Sequence, residues 1–276
     1  MSFVNALLRP VFDGLLYPFR GLAPIWGLLV VSFLTSIGML VVFKATSNQE
    51  ALDRVKRGIH AGLFEIRLWN DDMRAIFRAQ FEILRHNLSY LRYSLVPMVW
   101  IMVPLFFVIA QLHFHYGYRG LEPGKTALLE VEVSEDAVAP DRSKPRAELT
   151  LPAGLRAETP AVWSASERSL TWRIGADTSG RYEIGITVDG TQYSKSAVVM
   201  NDVRRRSPLR VSGWIDELVY PAESPLASGG AVESIALSYP DREVGLLGWK
   251  SHWLVHFFVL TIAFAFLLRK PMGVTI

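Results

Sequence analysis

His113 and His115 stand one residue apart just beyond a long apolar run, and on an extended strand both imidazoles would share one face, where such pairs bind metals. No third ligand follows nearby, and Tyr116 and Tyr118 beside them suit the aromatic belt of a membrane interface instead. Asp71 and Asp72 are carboxylates of the kind that hold divalent cations, but with Asn70 they equally form the capping turn of a helix, whose N-terminus favours acids. A third group consists of small hydroxyls and an amide inside otherwise apolar segments: Ser32, Thr35 and Ser36, then Gln111, then Thr261. Such residues, like Gly27 and Gly38, let helices approach closely and bond across. The chain has no cysteine, which excludes disulfides, thiol catalysis and cysteine metal sites. Residues 120–246 hold no glycine-rich phosphate loop, nucleophile elbow or clustered acid pair, and with a capping turn sufficient for Asp71 and Asp72, catalytic residues, a cofactor and a resident metal are not expected.

The elements that carry these residues follow from composition. The chain has 276 residues, half of them hydrophobic, and a net charge of +3. That balance points to a membrane protein with a water-soluble part. Its charges are spread along the chain, and the only dense basic run is Arg204-Arg205-Arg206, so no specific nucleic-acid partner is expected. A bilayer core of roughly 30 Å takes about 20 helical residues. Residues 22–43, 95–112 and 253–268 qualify; the sixteen residues of the last reach only about 24 Å, so either Leu246-Leu247 and Trp249 extend it, for a span of 247–268, or the bilayer thins around it. The first is expected to be retained, since Lys44 stands where a signal cleavage site would need small residues. In the second, Pro97 falls in the first turn, where a missing N–H costs little, while Pro104 frees the carbonyl of Trp100 in the interior.

Residues 1–21 place Phe3, Leu7, Leu8, Val11, Phe12, Leu15 and Leu16 near helical spacing, with Arg9 and Asp13 as polar exceptions, which reads as a helix lying in the interface. Residues 44–94 are charged and proline-free, and break at Trp69-Asn70-Asp71-Asp72. They read as a helical hairpin whose apolar positions are Val55, Ile59, Leu63 and Ile66, then Met73, Phe77, Phe81, Leu84, Leu88 and Leu91. Residues 120–246 alternate β-branched and polar positions between turn signals and read as an immunoglobulin-like β-sandwich. Strands are expected at 127–133, 147–151, 169–174, 181–188, 192–199 and 232–238, with Asp189-Gly190 as a hairpin turn and Tyr182 tying a corner. Nine Lys/Arg against six acids in 44–94, and Arg269-Lys270 after the last span, put the hairpin and the tail at 269–276 in the cytoplasm. The N-terminus and the β domain then lie outside an inner membrane of bacterial type.

Residues 15–31, 42–51 and 95–107 complete an order of interfacial helix, span, cytoplasmic hairpin and proline-containing span. In that order the chain resembles the YidC/Oxa-type membrane insertase superfamily, over about its first 115 residues plus the last span. The resemblance implies a membrane-protein biogenesis factor, insertase-like or chaperone-like, with a polar recess in the bilayer that eases polar client groups through hydrocarbon. Ser32, Thr35, Ser36, Gln111 and Thr261 would line that recess. The hairpin face of Ile59, Leu63, Ile66, Met73, Phe77 and Leu84 would gather client segments. Implied partners are the lipid bilayer, nascent or other membrane proteins, and a ribosome or translocase met by the basic hairpin. The alternative is a non-catalytic scaffold whose spans hold the β domain at the membrane.

Overall fold

A computed structural model describes residues 2–68, 72–138, 144–213, 216–246 and 248–274. The chain forms two units, Met1–Gly27 with Ile109–His256, and Leu28–Val108 with Phe257–Ile276. Helix α1 (Ser2–Leu16) leads through a short 3-10 turn (Tyr17–Phe19) to α2 (Pro24–Thr46), which opens on a proline whose absent N–H is harmless in a first turn. Asn48 starts α3 (Gln49–Leu68), its Oδ1 accepting the Ala51 N–H at 2.9 Å. Asp72 does the same for α4 (Met73–Tyr116), accepting the Arg74 N–H at 2.9 Å; the expected caps Asn70 and Asp71, with Trp69, lie outside the described residues.

Helix α4 corrects the reading of Pro97. The second arm of the hairpin and the apolar segment after it are one helix of 44 residues, about 66 Å long, with both Pro97 and Pro104 in its interior. No helix boundary falls at Pro97. Among the described residues, Pro24–Thr46 and Ile76–Tyr116 are the two helices long and apolar enough to cross a membrane.

The β domain is built from β1 (Thr126–Val133), β2 (Ala147–Thr150), β3 (Leu155–Ala157), β4 (Val162–Ser164), β5 (Ser169–Ala176), β6 (Gly180–Val188), β7 (Thr191–Val199), β8 (Leu209–Val211), the helical turn α5 (Asp216–Val219) and β9 (Val232–Leu237). A separate hairpin of β10 (Glu243–Leu246) and β11 (Trp249–His252) runs directly into the apolar helix α6 (Trp253–Leu268). The apolar helix therefore starts at Trp253: Leu246 and Trp249, expected to lengthen it, are strand residues, and Leu247 lies outside the described residues.

One sheet runs β3-β5-β1-β9-β8, with β4 also on β5, and the other runs β2-β6-β7, every pairing being antiparallel. Alternation fixes which side chains face inward: Leu129, Val131 and Val133 from β1, Ile174 from β5, Ile184, Ile186 and Val188 from β6, and Ile235 from β9 meet in one hydrophobic core. The β6–β7 turn is Asp189-Gly190, with φ of 46° and 84°, the doubly left-handed geometry of a two-residue hairpin. Tyr182 ties the corner before β6, donating its hydroxyl to Thr178 O at 3.0 Å and accepting from Thr178 Oγ1 at 2.7 Å.

Candidate functional site

In the unit that holds the hairpin, α3 and α4 close through glycine rather than through their largest apolar residues. A Cβ on Gly58 would lie 2.7 Å from His86 Nε2, and one on Gly62 2.6 Å from Ile83 Cγ1. Ala51, Leu52 and Val55 of α3 and Ala79 of α4 are buried, and Lys56 lies over the Tyr90 ring at 5.8 Å. At 100° per residue, Ala79, Ile83, His86 and Tyr90 share one side of α4, while Phe77, Phe81, Leu84, Leu88 and Leu91 share the opposite side. Those five side chains are 53 to 69 % exposed. Of the other expected hairpin positions, Leu63 and Met73 are exposed, and Ile59 and Ile66 half-buried. Arg74, Arg78, Arg85 and Arg92 run along one flank of the exposed stripe, and Gln80, Asn87 and Ser94 along the other.

The same unit brings three of the expected recess residues together. Ser36 Oγ donates to Thr261 O at 2.8 Å and lies 2.7 Å from Ser32 O, so a hydroxyl of α2 bonds the backbone of α6. Phe33 meets Phe264 edge to face, ring centres 5.4 Å apart. Ser32 and Thr261 are buried, and neither hydroxyl has a hydrogen-bond partner among the described residues, a condition that costs about 1–3 kcal/mol each. Thr35 is half-buried on α2.

Gln111 belongs to a different cluster, in the other unit. Its Oε1 accepts from Arg205 Nη1 at 2.8 Å. Arg205 also donates to Asp13 Oδ1 at 3.1 Å and to Arg9 O at 3.1 Å, while Arg9 donates to Pro221 O at 2.6 Å and Glu223 O at 2.7 Å. His115 joins through Nε2 to Asp13 Oδ1 at 2.9 Å and Nδ1 to Gln111 O at 3.0 Å. The polar exceptions of α1 are thus knotted to the last turns of α4 and to the β domain. Burial would raise the Asp13 carboxyl, but the His115 hydrogen bond and the Arg205 charge outweigh it and hold it below its usual range. The two histidines sit on a helix, not a strand, so they point apart: His113 meets the Tyr118 hydroxyl at 3.1 Å and the rings of Phe114 and Trp253.

The basic run 204–206 is consumed internally. Arg204 pairs with Asp202 at 2.5 Å, Arg205 forms the knot, and Arg206, fully buried, donates to the carbonyls of Met200, Asp202 and Arg204. Sequence reasoning also missed Lys195, which alternation puts inside β7. Its buried ammonium meets Glu223 Oε2 at 2.5 Å and Ser207 Oγ at 2.6 Å, and burial pushes it down to about 8 against the pull of Glu223. Glu223 is far away in sequence, so only the fold makes this pair. No family model, curated protein or solved structure matches the chain.

Proposed function

We propose that this chain is a membrane-protein biogenesis factor, chaperone-like or insertase-like, with the architecture of the YidC/Oxa-type superfamily. In this reading α2, the apolar half of α4 and α6 cross the bilayer, the hairpin lies in the cytoplasm and the β domain outside. The observation that carries it is the exposed stripe of Phe77, Phe81, Leu84, Leu88 and Leu91. A helix of about 66 Å that crosses a core of roughly 30 Å projects the rest of its length into water. A stripe of Phe and Leu there is an expensive surface unless apolar segments visit it. Covering each side chain is worth about 1–2 kcal/mol, enough for transient capture of a hydrophobic helix and too little for a permanent complex once ordering costs are met. The arginine flank suits the acidic residues or phosphates that accompany nascent chains. Ser32 and Thr261 offer two unbonded hydroxyls to a polar group that enters the bundle.

The scaffold reading is favoured by one observation, the Ser36 to Thr261 bond, which uses a recess residue for helix packing. Photocrosslinkers at Phe77, Leu63 and Thr35 separate the two. Capture of many different nascent membrane segments at Phe77 is the expected result. A single stable partner at all three sites would sink the biogenesis reading in favour of the scaffold.

A further inference from the structure

The buried charge of the β-domain unit does not balance. Arg204, Arg206 and Arg242 gather around one carboxylate, Asp202: Arg204 Nε at 2.5 Å and Arg206 Nη2 at 3.5 Å from it, and Arg242 Nη2 on its backbone carbonyl at 2.7 Å. Arg242 is 97 % buried by its 3 % exposure, and its Nε and Nη1 have no hydrogen-bond partner among the described residues. Its remaining bond goes to Asn201 Oδ1 at 3.2 Å. Burial and then the Arg242 charge push Arg206 down to about 10, and burial lowers Arg242 as well. Buried cations in proteins are paired, and an unpaired one is strongly destabilising.

Beside this cluster lies a cavity of about 290 Å³, lined by Arg242, Asp202, Asn201, Arg119, Lys250 and Glu243, with Leu22, Pro24, Val203 and Gly245 completing its wall. Arg119 and Lys250 are exposed, and among the described residues the Arg119 side chain spends only its Nε, on Asp241 O at 3.0 Å. Three cations that line it, Arg119, Arg242 and Lys250, face two carboxylates, Asp202 and Glu243, and Asp202 is already shared with Arg204 and Arg206. The volume exceeds that of a phosphate group, and Leu22, Pro24 and Val203 give the wall an apolar part. Leu22 and Pro24 are where α2 begins, and Lys250 stands three residues before α6 begins.

We propose that this cavity binds a phosphate group, with Arg119 and Lys250 as its direct donors and Arg242 supplying the positive field beneath. The placement of that phosphate on a lipid rests on the membrane reading above, because helix starts at the wall put the cavity at headgroup depth, with Leu22 toward the acyl chains. Phosphate binding itself does not rest on it. The site would tether the outer domain to the bilayer surface and stabilise the arginine cluster.

The test uses the whole purified chain. In native mass spectrometry from detergent, phosphatidylglycerol is compared with phosphate-free diacylglycerol, and separately the thermal midpoint is followed against inorganic phosphate with chloride at matched ionic strength. Variants Arg119→Ala and Lys250→Ala touch exposed side chains and leave the fold intact, which circular dichroism checks. Retention of phosphatidylglycerol over diacylglycerol, weakened about tenfold by each variant, is the expected result. Stabilisation by inorganic phosphate, lost in the variants, without lipid retention would keep the phosphate site and overturn its lipid source, and with it the headgroup placement. Neither effect, or both unchanged in the double variant, would overturn the site.

Discussion

Replacing Glu223 by Gln keeps the side chain's size and removes the charge that faces the buried Lys195 ammonium at 2.5 Å. The size of the effect at pH 7 follows from the lysine's own titration. With Lys195 at about 8, its charged form in the fold is preferred over the neutral one at pH 7 by about 1 kcal/mol. Without the carboxylate the lysine drops its proton instead of staying charged in apolar surroundings, so that preference caps the loss from the ammonium. The bonds that Glu223 accepts from the Ser196 N–H at 2.7 Å and the Ser207 hydroxyl at 2.5 Å pass from charge-assisted to neutral, together costing about 1–2 kcal/mol more. The total is about 2–3 kcal/mol at pH 7, falling by about 1 kcal/mol at pH 9.5, where the wild-type lysine is already mostly neutral. In the wild type, the unfolded chain holds a proton between about 8 and the ordinary 10.5 that the folded chain has released, so Lys195 makes stability rise with pH across that window. Glu223 is held below its usual range: burial raises it, but the charge and hydrogen bond of Lys195 outweigh that, and its contribution is lost as pH falls below about 4.5. Urea unfolding of the whole chain in lipid nanodiscs reads this, followed by pulse labelling of a thiol at Ala197→Cys, a buried position in an otherwise cysteine-free chain. Equal costs of Glu223→Gln at the two pH values would refute the charge argument. So would failure of a further Lys195→Met change to recover stability, since an apolar side chain removes the buried amine altogether.

Gly62→Leu should open the hairpin, because a side chain there must displace Ile83, at a cost of about 1–3 kcal/mol; spin labels at Arg57 and Asn87 should report a longer and broader distance distribution, and an unchanged distribution would contradict glycine closure. For topology, single cysteines at Arg67 and Gln192, both exposed, should label from opposite sides of sealed vesicles, Gln192 from outside; labelling of Arg67 from outside would invert the proposed orientation.

The architecture was legible wherever one local rule decided it. Period-two alternation put Leu129, Val131, Ile184 and Ile186 inward and marked the five long strands β1, β5, β6, β7 and β9, with the short β2 caught through the run Ala147 to Leu151, and the left-handed demand of Asp189-Gly190 located the hairpin turn. The strands that escaped, β3, β4, β8, β10 and β11, have three or four residues, too few for alternation to rise above noise, and exist because a neighbour offers them a ladder. The hairpin was legible as two helices but not in its packing. Periodicity ranks residues by apolarity, so it selected Phe77 and Leu84, whereas closure is decided by how near two backbones can come, a property of Gly58, Gly62 and Ala79.

Gln111 shows where a residue-level reading must yield to tertiary chemistry. An amide in an apolar helix demands a partner, and the sequence offered a recess as the partner. The fold instead supplies Arg205, which reaches Gln111, Asp13 and the Arg9 carbonyl at once. That choice explains the polar exceptions of α1 as well: a helix lying freely in the interface would have little use for Arg9 and Asp13 on adjacent turns, whereas a helix that clamps the β domain needs a donor for the carbonyls of Pro221 and Glu223 and an acceptor for Arg205. The N-terminal helix is therefore part of the β domain's framework, and the residues that the proposed function can draw on are those that no such bond consumes, Ser32, Thr261 and the stripe of α4.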